Sequence, residues 1–175
     1  MSSIRIKYAE IPDAELIADM SRQTFYDTFA AVNTKEDMDK FMNEQFNRET
    51  LIKEVGAPGN LFLLAYDGEE PLGYVRIREG ERHSEFENQT SIEIARIYAT
   101  KSSIGKGVGK ALMQECIRIA KEMKRDIIWL GVWEKNDRAI EFYRKWGFEK
   151  FAEHDFVLGD NVQTDWLMSR KVENL

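Results

Sequence analysis

The glycine-rich segment at residues 104–110 combines residue types that can bind phosphate groups. Gly105, Gly107 and Gly109 allow the backbone to bend sharply and to turn successive N–H groups toward one point. The segment lies between an expected strand and a long expected helix, whose free N-terminal amides and positive dipole end would face the same point. We therefore predict a phosphate cradle. A flexible strand–helix connection without a ligand is the alternative.

Two familiar phosphate-binding motifs do not fit this segment. A Walker A loop has four residues between its first glycine and Gly-Lys, followed by Ser or Thr. Here three residues separate Gly105 from Gly109-Lys110, and Ala111 follows. The dinucleotide fingerprint G-x-G-x-x-G also fails, because the spacing here is G-x-G-x-G. Both a P-loop and a dinucleotide site are therefore excluded.

The charge distribution favours an anionic ligand at the same place. The chain has 25 Lys and Arg residues against 31 Asp and Glu, a formal net charge of −6. Three lysines and no acidic residue lie within residues 101–110, whereas residues 67–93 hold eight acidic and three basic residues. A cationic segment in an acidic protein is explained by an anionic ligand. The net negative charge argues against a nucleic-acid partner.

The bulk composition predicts one cytoplasmic α/β domain spanning residues 1–175. Of the 175 residues, 43% are hydrophobic and 32% are charged, which is typical of a globular chain. No apolar run approaches the roughly 20 residues that span a bilayer, and the N-terminus lacks an export signal, so we expect no membrane association. The single cysteine fits a reducing compartment, and no His, Cys and carboxylate spacing predicts a metal.

Hydrophobic periodicity predicts the order of the elements that position the glycine-rich segment. Predicted strands lie at residues 4–8, 61–66, 72–77, 91–99, 127–132, 148–156 and 164–170. Predicted helices lie at residues 11–29, 34–45, 48–55, 107–124 and 137–146. Residues 80–89 are polar and non-periodic, which predicts a loop. In this arrangement the segment joins the strand at residues 91–99 to the helix at residues 107–124.

Two linked motifs resemble the GNAT N-acetyltransferase superfamily. One is the family's [Gln/Arg]-x-x-Gly-x-[Gly/Ala] loop, which falls on Ile104-Gly105-Lys106-Gly107-Val108-Gly109. The other is Asn-x-x-Ala-x-x-x-Tyr-x-x-x-Gly-Phe, which falls on Asn136, Ala139, Tyr143, Gly147 and Phe148. The resemblance implies a GNAT-like mixed, mostly antiparallel central sheet flanked by helices, with acetyl-CoA as co-substrate. Ile104 replaces the family's Gln or Arg, which implies weaker but surviving CoA affinity.

A narrower resemblance is to PaiA-type spermidine/spermine N-acetyltransferases. It rests on residues 24–29, 93–98 and 129–136, which read TFYDTF, EIARIY and WLGVWEKN, and on Gln163-Thr164-Asp165. It implies acetyl transfer to a polyamine such as spermidine or spermine. Ala95 stands at a position where the resemblance implies a second glutamate in such proteins. The acidic loop at residues 79–87 is expected to overhang the acceptor mouth, with keeping a surface loop soluble as the alternative.

The resemblance also implies a role for each candidate site residue. The strand backbone would pair with the pantetheine arm, and the Ile97 N–H would donate to the thioester oxygen; an ordinary central strand is the alternative. The implied cofactor contacts are Ile97, Tyr98, Ala99, Ile104, Gly105, Lys106, Gly107, Val108, Gly109, Lys110, Asn136 and Tyr143. Asn136 can also cap the helix that begins at Asp137.

Three side chains are the candidates for chemistry and for acceptor binding. Tyr143 would protonate the departing thiolate, unless it is only a core aromatic. Glu93 would bind the amine and take its proton, unless it lies in solvent or pairs with Arg96. Trp133 would form a wall of the acceptor site. Cys116 is expected in the core, which favours direct transfer over a cysteinyl intermediate.

The predicted function is therefore acetyl transfer to a small-molecule amine by a monomer or homodimer. A protein or peptide N-acetyltransferase shares the same chemistry and is the first alternative. A non-catalytic acyl-CoA-binding regulatory module is the second alternative, which the replacements at Ile104 and Ala95 keep open.

Overall fold

The computed structural model describes residues 3–80 and 83–173, which form seven strands and five α-helices. The strands are β1 Arg5–Tyr8, β2 Asn60–Asp67, β3 Glu70–Arg78, β4 Ser91–Ala99, β5 Ile127–Trp133, β6 Glu149–Leu158 and β7 Asn161–Lys171. The helices are α1 Ala14–Phe29, α2 Lys35–Lys40, α3 Arg48–Glu54, α4 Val108–Glu122 and α5 Asp137–Lys145. Within these ranges, no helix is long and apolar enough to cross a bilayer.

The seven strands form one sheet in the order β1-β2-β3-β4-β5-β7-β6. Every neighbouring pair is antiparallel except β4 and β5, which are parallel because α4 connects them across one face. The predicted mixed, mostly antiparallel sheet flanked by helices is confirmed. Leu63 and Ala65 of β2 pack toward α4, whereas Phe62 and Leu64 pack toward α1, so the sheet is covered on both faces.

The parallel strands β4 and β5 pair over only part of their lengths. Their register joins Ser91–Ile94 to Ile127–Leu130. Beyond that point, within the described ranges, β5 continues along β7 and β4 continues along β3. The two central strands therefore separate and leave a gap in the middle of the sheet.

A β-bulge at Ala95 sets which side chains of β4 face each layer. Ile94 pairs with Ile77 and Arg96 pairs with Arg76, so Ala95 is the extra residue. Ile92 and Ile94 before the bulge, and Ile97 after it, pack in the cluster of α4. Glu93, Arg96 and Tyr98 consequently lie on the opposite face, toward α1.

The helix predicted at residues 34–45 changes its hydrogen-bond pattern part-way. Thr34 accepts from the Asp37 amide at 3.1 Å and begins α2, as predicted. After Lys40 the chain forms a π-helical turn, Phe41–Gln45. The Arg22 guanidinium donates to the carbonyls of Met42 and Phe46 at 2.6 and 2.5 Å, which satisfies groups at the end of this turn.

Candidate active site

A cavity of about 980 Å³ opens at the gap between β4 and β5. Its volume is in the range of pockets for cofactors and small substrates. Two parts can be distinguished by what lines them. The cofactor half is lined by residues from β4, the glycine-rich segment and α5, namely Ile97, Tyr98, Ala99, Lys101, Ser103, Ile104, Gly105, Gly107, Val108, Gly109, Lys110, Asn136, Arg138, Ala139, Phe142 and Tyr143. The acceptor half is lined by Thr24, Phe25, Asp27, Thr28, Phe29, Phe41, Gln45, Phe46, Arg76, Arg78, Ile94, Ala95, Arg96, Trp133, Phe156 and Asp165.

The glycine-rich segment adopts backbone conformations that glycine permits. Gly105 and Gly107 have φ angles of +83° and +87°, in the left-handed region. Gly107 is the N-cap of α4, so the helix begins at Val108, one residue later than predicted. The first intrahelical bond runs from the Ala111 amide to the Gly107 carbonyl at 3.0 Å. The amides of residues 108–110 precede it and are available to an anion.

Two other glycine positions allow the start of α4 to approach its neighbours. A Cβ on Gly73 of β3 would lie 2.6 Å from the Tyr98 carbonyl oxygen and 2.8 Å from Val108 Cγ1. A Cβ on Gly109 would lie 3.3 Å from the Phe142 ring of α5. Gly73 therefore lets the helix start close to the end of β4. The sequence analysis missed this role, because Gly73 lies in an otherwise ordinary hairpin strand.

The free edge of β4 presents backbone groups to the gap. The Thr100 amide donates to the Leu72 carbonyl at 2.8 Å, so Thr100 is hydrogen-bonded toward β3. Backbone groups alternate in direction along an antiparallel strand. Those of Tyr98 therefore also point to β3, and the N–H groups of Ile97 and Ala99 point into the cavity. A ligand with amide groups can pair with this edge as an added strand does.

Cationic side chains surround the mouth of the cofactor half. Lys101 and Lys110 line it, as the local charge suggested, and Arg138 of α5 joins them. Lys106 is exposed and is not among the lining residues of the described chain, and its amide closes a turn on the Ser103 carbonyl at 3.2 Å. Ile104 is 43% exposed at the mouth. The cradle therefore combines backbone amides with the positive charges of three exposed side chains.

Tyr143 and Asn136 both reach the cavity from α5. Tyr143 is 8% exposed, and its ring contacts Phe142 and Phe148 at centroid distances of 5.5 and 5.9 Å. Burial raises the pKa of the Tyr143 hydroxyl, so the phenol keeps its proton at neutral pH. The Asn136 side chain caps α5 by accepting from the Ala139 amide at 3.2 Å. Its amide nitrogen remains available as a donor to a ligand.

Glu93 is buried and ion-paired. Its carboxylate accepts from Arg78 Nε at 2.7 Å and lies 2.6 Å from another guanidinium nitrogen of Arg78. The predicted alternatives were solvent or Arg96, whereas the observed partner is Arg78 of the adjacent strand. Among the described residues, Arg78 lines the acceptor half and Glu93 does not. A catalytic role for Glu93 thus depends on reaching the amine past Arg78 or through water.

A second carboxylate lines the acceptor half directly. Asp165 of β7 pairs in register with Trp133 of β5, at the end of the gap. Burial raises the pKa of Asp165, while His154, with Nε2 at 3.4 Å, lowers it by a smaller amount. From sequence, Asp165 is indicated only through the Gln163-Thr164-Asp165 resemblance. The structure places Asp165 at the cavity wall, with His154 beside it.

Aromatic side chains form the walls of the acceptor half. Trp133 packs edge-on against Phe29 of α1, with ring centroids 5.9 Å apart. Phe25 and Phe41 stack at 4.5 Å. Sequence reasoning singled out Trp133 but missed the contribution of α1 and the π-helical turn, because their apolar spacing reads as ordinary core.

The acidic loop does not lie over the acceptor half in the described part of the chain. His83 and Phe86, which follow the two residues outside the described ranges, pack on Phe151 at 5.0 and 4.9 Å. His83 is thus half-buried, although its neighbours in the sequence are mostly polar or charged. Glu79 pairs with Arg125, and neither it nor Glu85 or Glu87 lines the cavity, while Glu81 lies outside the described residues. The rings of His83 and Phe86 hold this loop near the start of β5, which is the end away from the cavity.

The remaining candidate for covalent chemistry lies in the core. Cys116 is 3% exposed on the inner face of α4, and burial raises the pKa of its thiol. A thiol that keeps its proton is a poor nucleophile, which fits direct transfer. Over residues 3–80 and 83–173, no group of three or more His, Cys, Asp and Glu is placed to hold a metal ion.

Comparison with known families agrees with this geometry. The profile described as the Acetyltransferase (GNAT) family matches residues 22–148, which is most of the chain and includes the whole cofactor half. This chain belongs to the GNAT family. A relative from Lactobacillus delbrueckii subsp. lactis, named an uncharacterized N-acetyltransferase in the pepI 3′ region, is 37% identical over 97% of this chain and 98% of its own.

Two further matches come from Thermoplasma acidophilum, one to a named protein and one to a solved structure. A protein named spermidine N(1)-acetyltransferase is 25% identical over 98% of this chain and 99% of its own. The crystal structure of PaiA N-acetyltransferase in complex with coenzyme A superposes with a TM-score of 0.75 at 24% identity, covering 97% and 99% of the two chains. The yncA structure from Salmonella typhimurium with acetyl-CoA gives a TM-score of 0.72 at 16% identity, covering 98% and 95%. These structures share the fold of this chain.

Proposed function

We propose that this protein transfers the acetyl group of acetyl-CoA directly to a primary amine bound in the acceptor half. One observation carries the proposal. The N-terminal amides of α4, the inward N–H groups of Ile97 and Ala99, and the hydroxyl-bearing side chain of Tyr143 all line one cavity at the strand gap. These are a phosphate site, a strand-like edge for pantetheine and a proton donor, in the order that an acyl-CoA ligand requires.

The cofactor half can hold each part of acetyl-CoA. The pyrophosphate would bind the amides of residues 108–110, with Lys101, Lys110 and Arg138 opposing its charge. The pantetheine arm would run along β4 and pair with the backbone of Ile97 and Ala99. Because backbone amides make most of these contacts, the loss of a polar side chain at Ile104 would weaken binding without abolishing it.

The reaction follows from the groups around the thioester. The amine nitrogen attacks the carbonyl carbon, a C–N bond forms and the C–S bond breaks. The Ile97 N–H would donate to the carbonyl oxygen as negative charge develops on it. The Tyr143 hydroxyl would give its proton to the departing CoA thiolate, a role suited to a buried phenol that is neutral at pH 7.

The amine must lose a proton, and two carboxylates are candidates to take it. Glu93, the residue predicted from sequence, is held by Arg78 and would act through water. Asp165 lines the acceptor half, and its raised pKa brings it closer to the operating pH. The pH–rate profiles of variants distinguish Glu93 from Asp165. Replacing the residue that acts as the base removes a limb of the profile, and replacing the other residue does not.

The acceptor class taken from the relatives is a polyamine such as spermidine or spermine. Its support is the spermidine N(1)-acetyltransferase relative, together with Asp27 and Asp165 in the lining. A protein or peptide amine is the second candidate within the same chemistry, and the open edge of the cavity would admit it.

The test is CoA thiol release from acetyl-CoA across a panel of polyamines, amino acids, aminoglycosides and peptides. The proposal expects release that depends on the added amine, with calorimetric binding of CoA to the same protein sample. Tight CoA binding without amine-dependent release over the whole panel would instead identify a non-catalytic acyl-CoA-binding module.

A further inference from the structure

Two arginines form one part of the wall of the acceptor half, which Asp27 and Asp165 also line. Arg76 and Arg96 are directly opposite each other on β3 and β4 and both line the cavity. Like charges at directly opposed positions destabilise a sheet. Each side chain is only 13% exposed, so the two guanidiniums cannot separate their charges into solvent.

Glu54 at the end of α3 neutralises one of these two charges. Its Oε2 lies 3.1 Å from Arg76 and its Oε1 lies 2.5 Å from Arg96. Arg78 is neutralised separately by Glu93. Across residues 3–80 and 83–173, Glu54 is the carboxylate ion-paired with both arginines, so one positive charge of the pair is left uncompensated by an ion-pair partner. Burying an unpaired charge is costly, so its position beside the cavity needs a reason.

Arg96 is held in a fixed position at the cavity wall. Its guanidinium lies over the Phe46 ring at 5.2 Å, and its Nε is buried without a hydrogen-bond partner in the described part of the chain. Asn60 fixes Arg76 by accepting from its Nε at 2.7 Å. Burial lowers the pKa of the Arg76 guanidinium, because desolvation disfavours its charged form. Two guanidinium groups that are fixed in position and partly desolvated are suited to bind a planar anion.

We propose that the acceptor amine carries a carboxylate, which binds to Arg96 and Arg76 while its amino group faces the thioester. A single carboxylate matches the single uncompensated charge. The aromatic walls formed by Phe25, Phe41 and Phe156 would contact the rest of a small amino acid-like substrate. This inference rests on the proposed acetyltransferase function and names a carboxylate-bearing amine as acceptor, where the relatives suggest a polyamine.

The experiment compares sets of three amines that share one skeleton: an amino acid, its carboxamide and its decarboxylated amine. Lysine, lysine amide and cadaverine form one set, and phenylalanine, its amide and phenethylamine form another. The amine pKa of the free amino acid lies between those of the other two members. A preference for the acid over both therefore cannot arise from amine basicity.

The expected result is a kcat/KM for the acid about 10- to 150-fold above both analogues in at least one set, the range of a charge-assisted contact. Arg96→Gln should bring this ratio close to one by slowing the acid alone, and Arg96→Lys should keep part of it. Arg48→Gln, which removes an exposed arginine paired with Asp19, is the matched control and should leave the ratio unchanged.

The outcomes separate this inference from the function on which it rests. Acetylation of amines without preference for the acid in any set, or of spermidine above every carboxylate-bearing amine, overturns the carboxylate assignment and leaves the acetyltransferase intact. No acetylation of any amine overturns both. The wild-type ratios alone decide the matter if the Arg96 variants do not fold.

Discussion

Replacing Tyr143 with Phe isolates the contribution of one hydroxyl group to catalysis. The ring contacts with Phe142 and Phe148 are kept in the variant, so the free energy of unfolding should change by less than about 1 kcal/mol. A positioned general acid contributes about 10²- to 10⁴-fold to the rate. At about 1.36 kcal/mol per decade, the barrier should rise by about 2.7–5.4 kcal/mol.

The pH dependence of this loss is also fixed by the structure. Burial raises the pKa of the Tyr143 hydroxyl above its ordinary value of about 10, so the proton stays on the phenol throughout an assay at about pH 6 to 9. The loss of kcat in Tyr143→Phe should therefore be the same factor across that range. The affinity for acetyl-CoA should be nearly unchanged, because the hydroxyl acts on the departing thiolate.

The assay is initial-rate thiol release at saturating acetyl-CoA and amine, with CoA binding measured by calorimetry on the same preparations. Tyr74→Phe is the matched control, since Tyr74 is 0% exposed and, among the described residues, is not part of the cavity lining. It should retain wild-type kcat. A Tyr143→Phe variant whose kcat stays within about three-fold of wild type, far below the factor expected of a general acid, would refute the assignment.

Three further variants test the rest of the site. Gly107→Val forces a β-branched residue to a φ of +87° and should weaken CoA binding at least about 10-fold by calorimetry, whereas Gly80→Val, at φ +90° in open space, should not. Glu93→Gln should lower kcat/KM most at neutral pH and least near the amine pKa of about 10.4; a loss uniform in pH would mean that Glu93 serves only to hold Arg78. Asp165→Asn should lower kcat/KM yet raise the melting temperature at neutral pH. The raised pKa of Asp165 means that its ionised form destabilises the fold above that pKa, so the gain in calorimetric scans should shrink as the pH falls.

The cofactor half was largely predictable from sequence because its parts are local. Glycines at alternate positions, a strand before them and an amphipathic helix after them all lie within residues 91–122. The observed φ angles of Gly105 and Gly107 are those that such a turn requires. The bulge at Ala95 was not predictable, since it depends on how β3 and β4 pair. The hydrophobic periodicity of one strand does not specify that pairing.

The acceptor half was poorly predictable because it is assembled from distant elements. Arg76, Arg78 and Arg96 read as ordinary alternating polar residues of strands, and their shared face appears only when the sheet register is known. The acidic stretch illustrates the converse. The net negative charge of the loop at residues 79–87 can be read from the sequence. Phe86, which is buried, nevertheless holds this loop away from the cavity. Charge counts give the sign of a field and not the face on which it lies.

The most direct test of the account is mass-spectrometric identification of the product formed from acetyl-CoA labelled in its acetyl group. Wild-type protein would be incubated with a mixture of polyamines, amino acids and short peptides, alongside the Tyr143→Phe variant. The account predicts labelled N-acetyl product from a primary amine, formed in step with CoA release and at least about 100-fold more slowly by the variant. Labelled acetate without any N-acetylated amine, or equal product from both proteins, would contradict it.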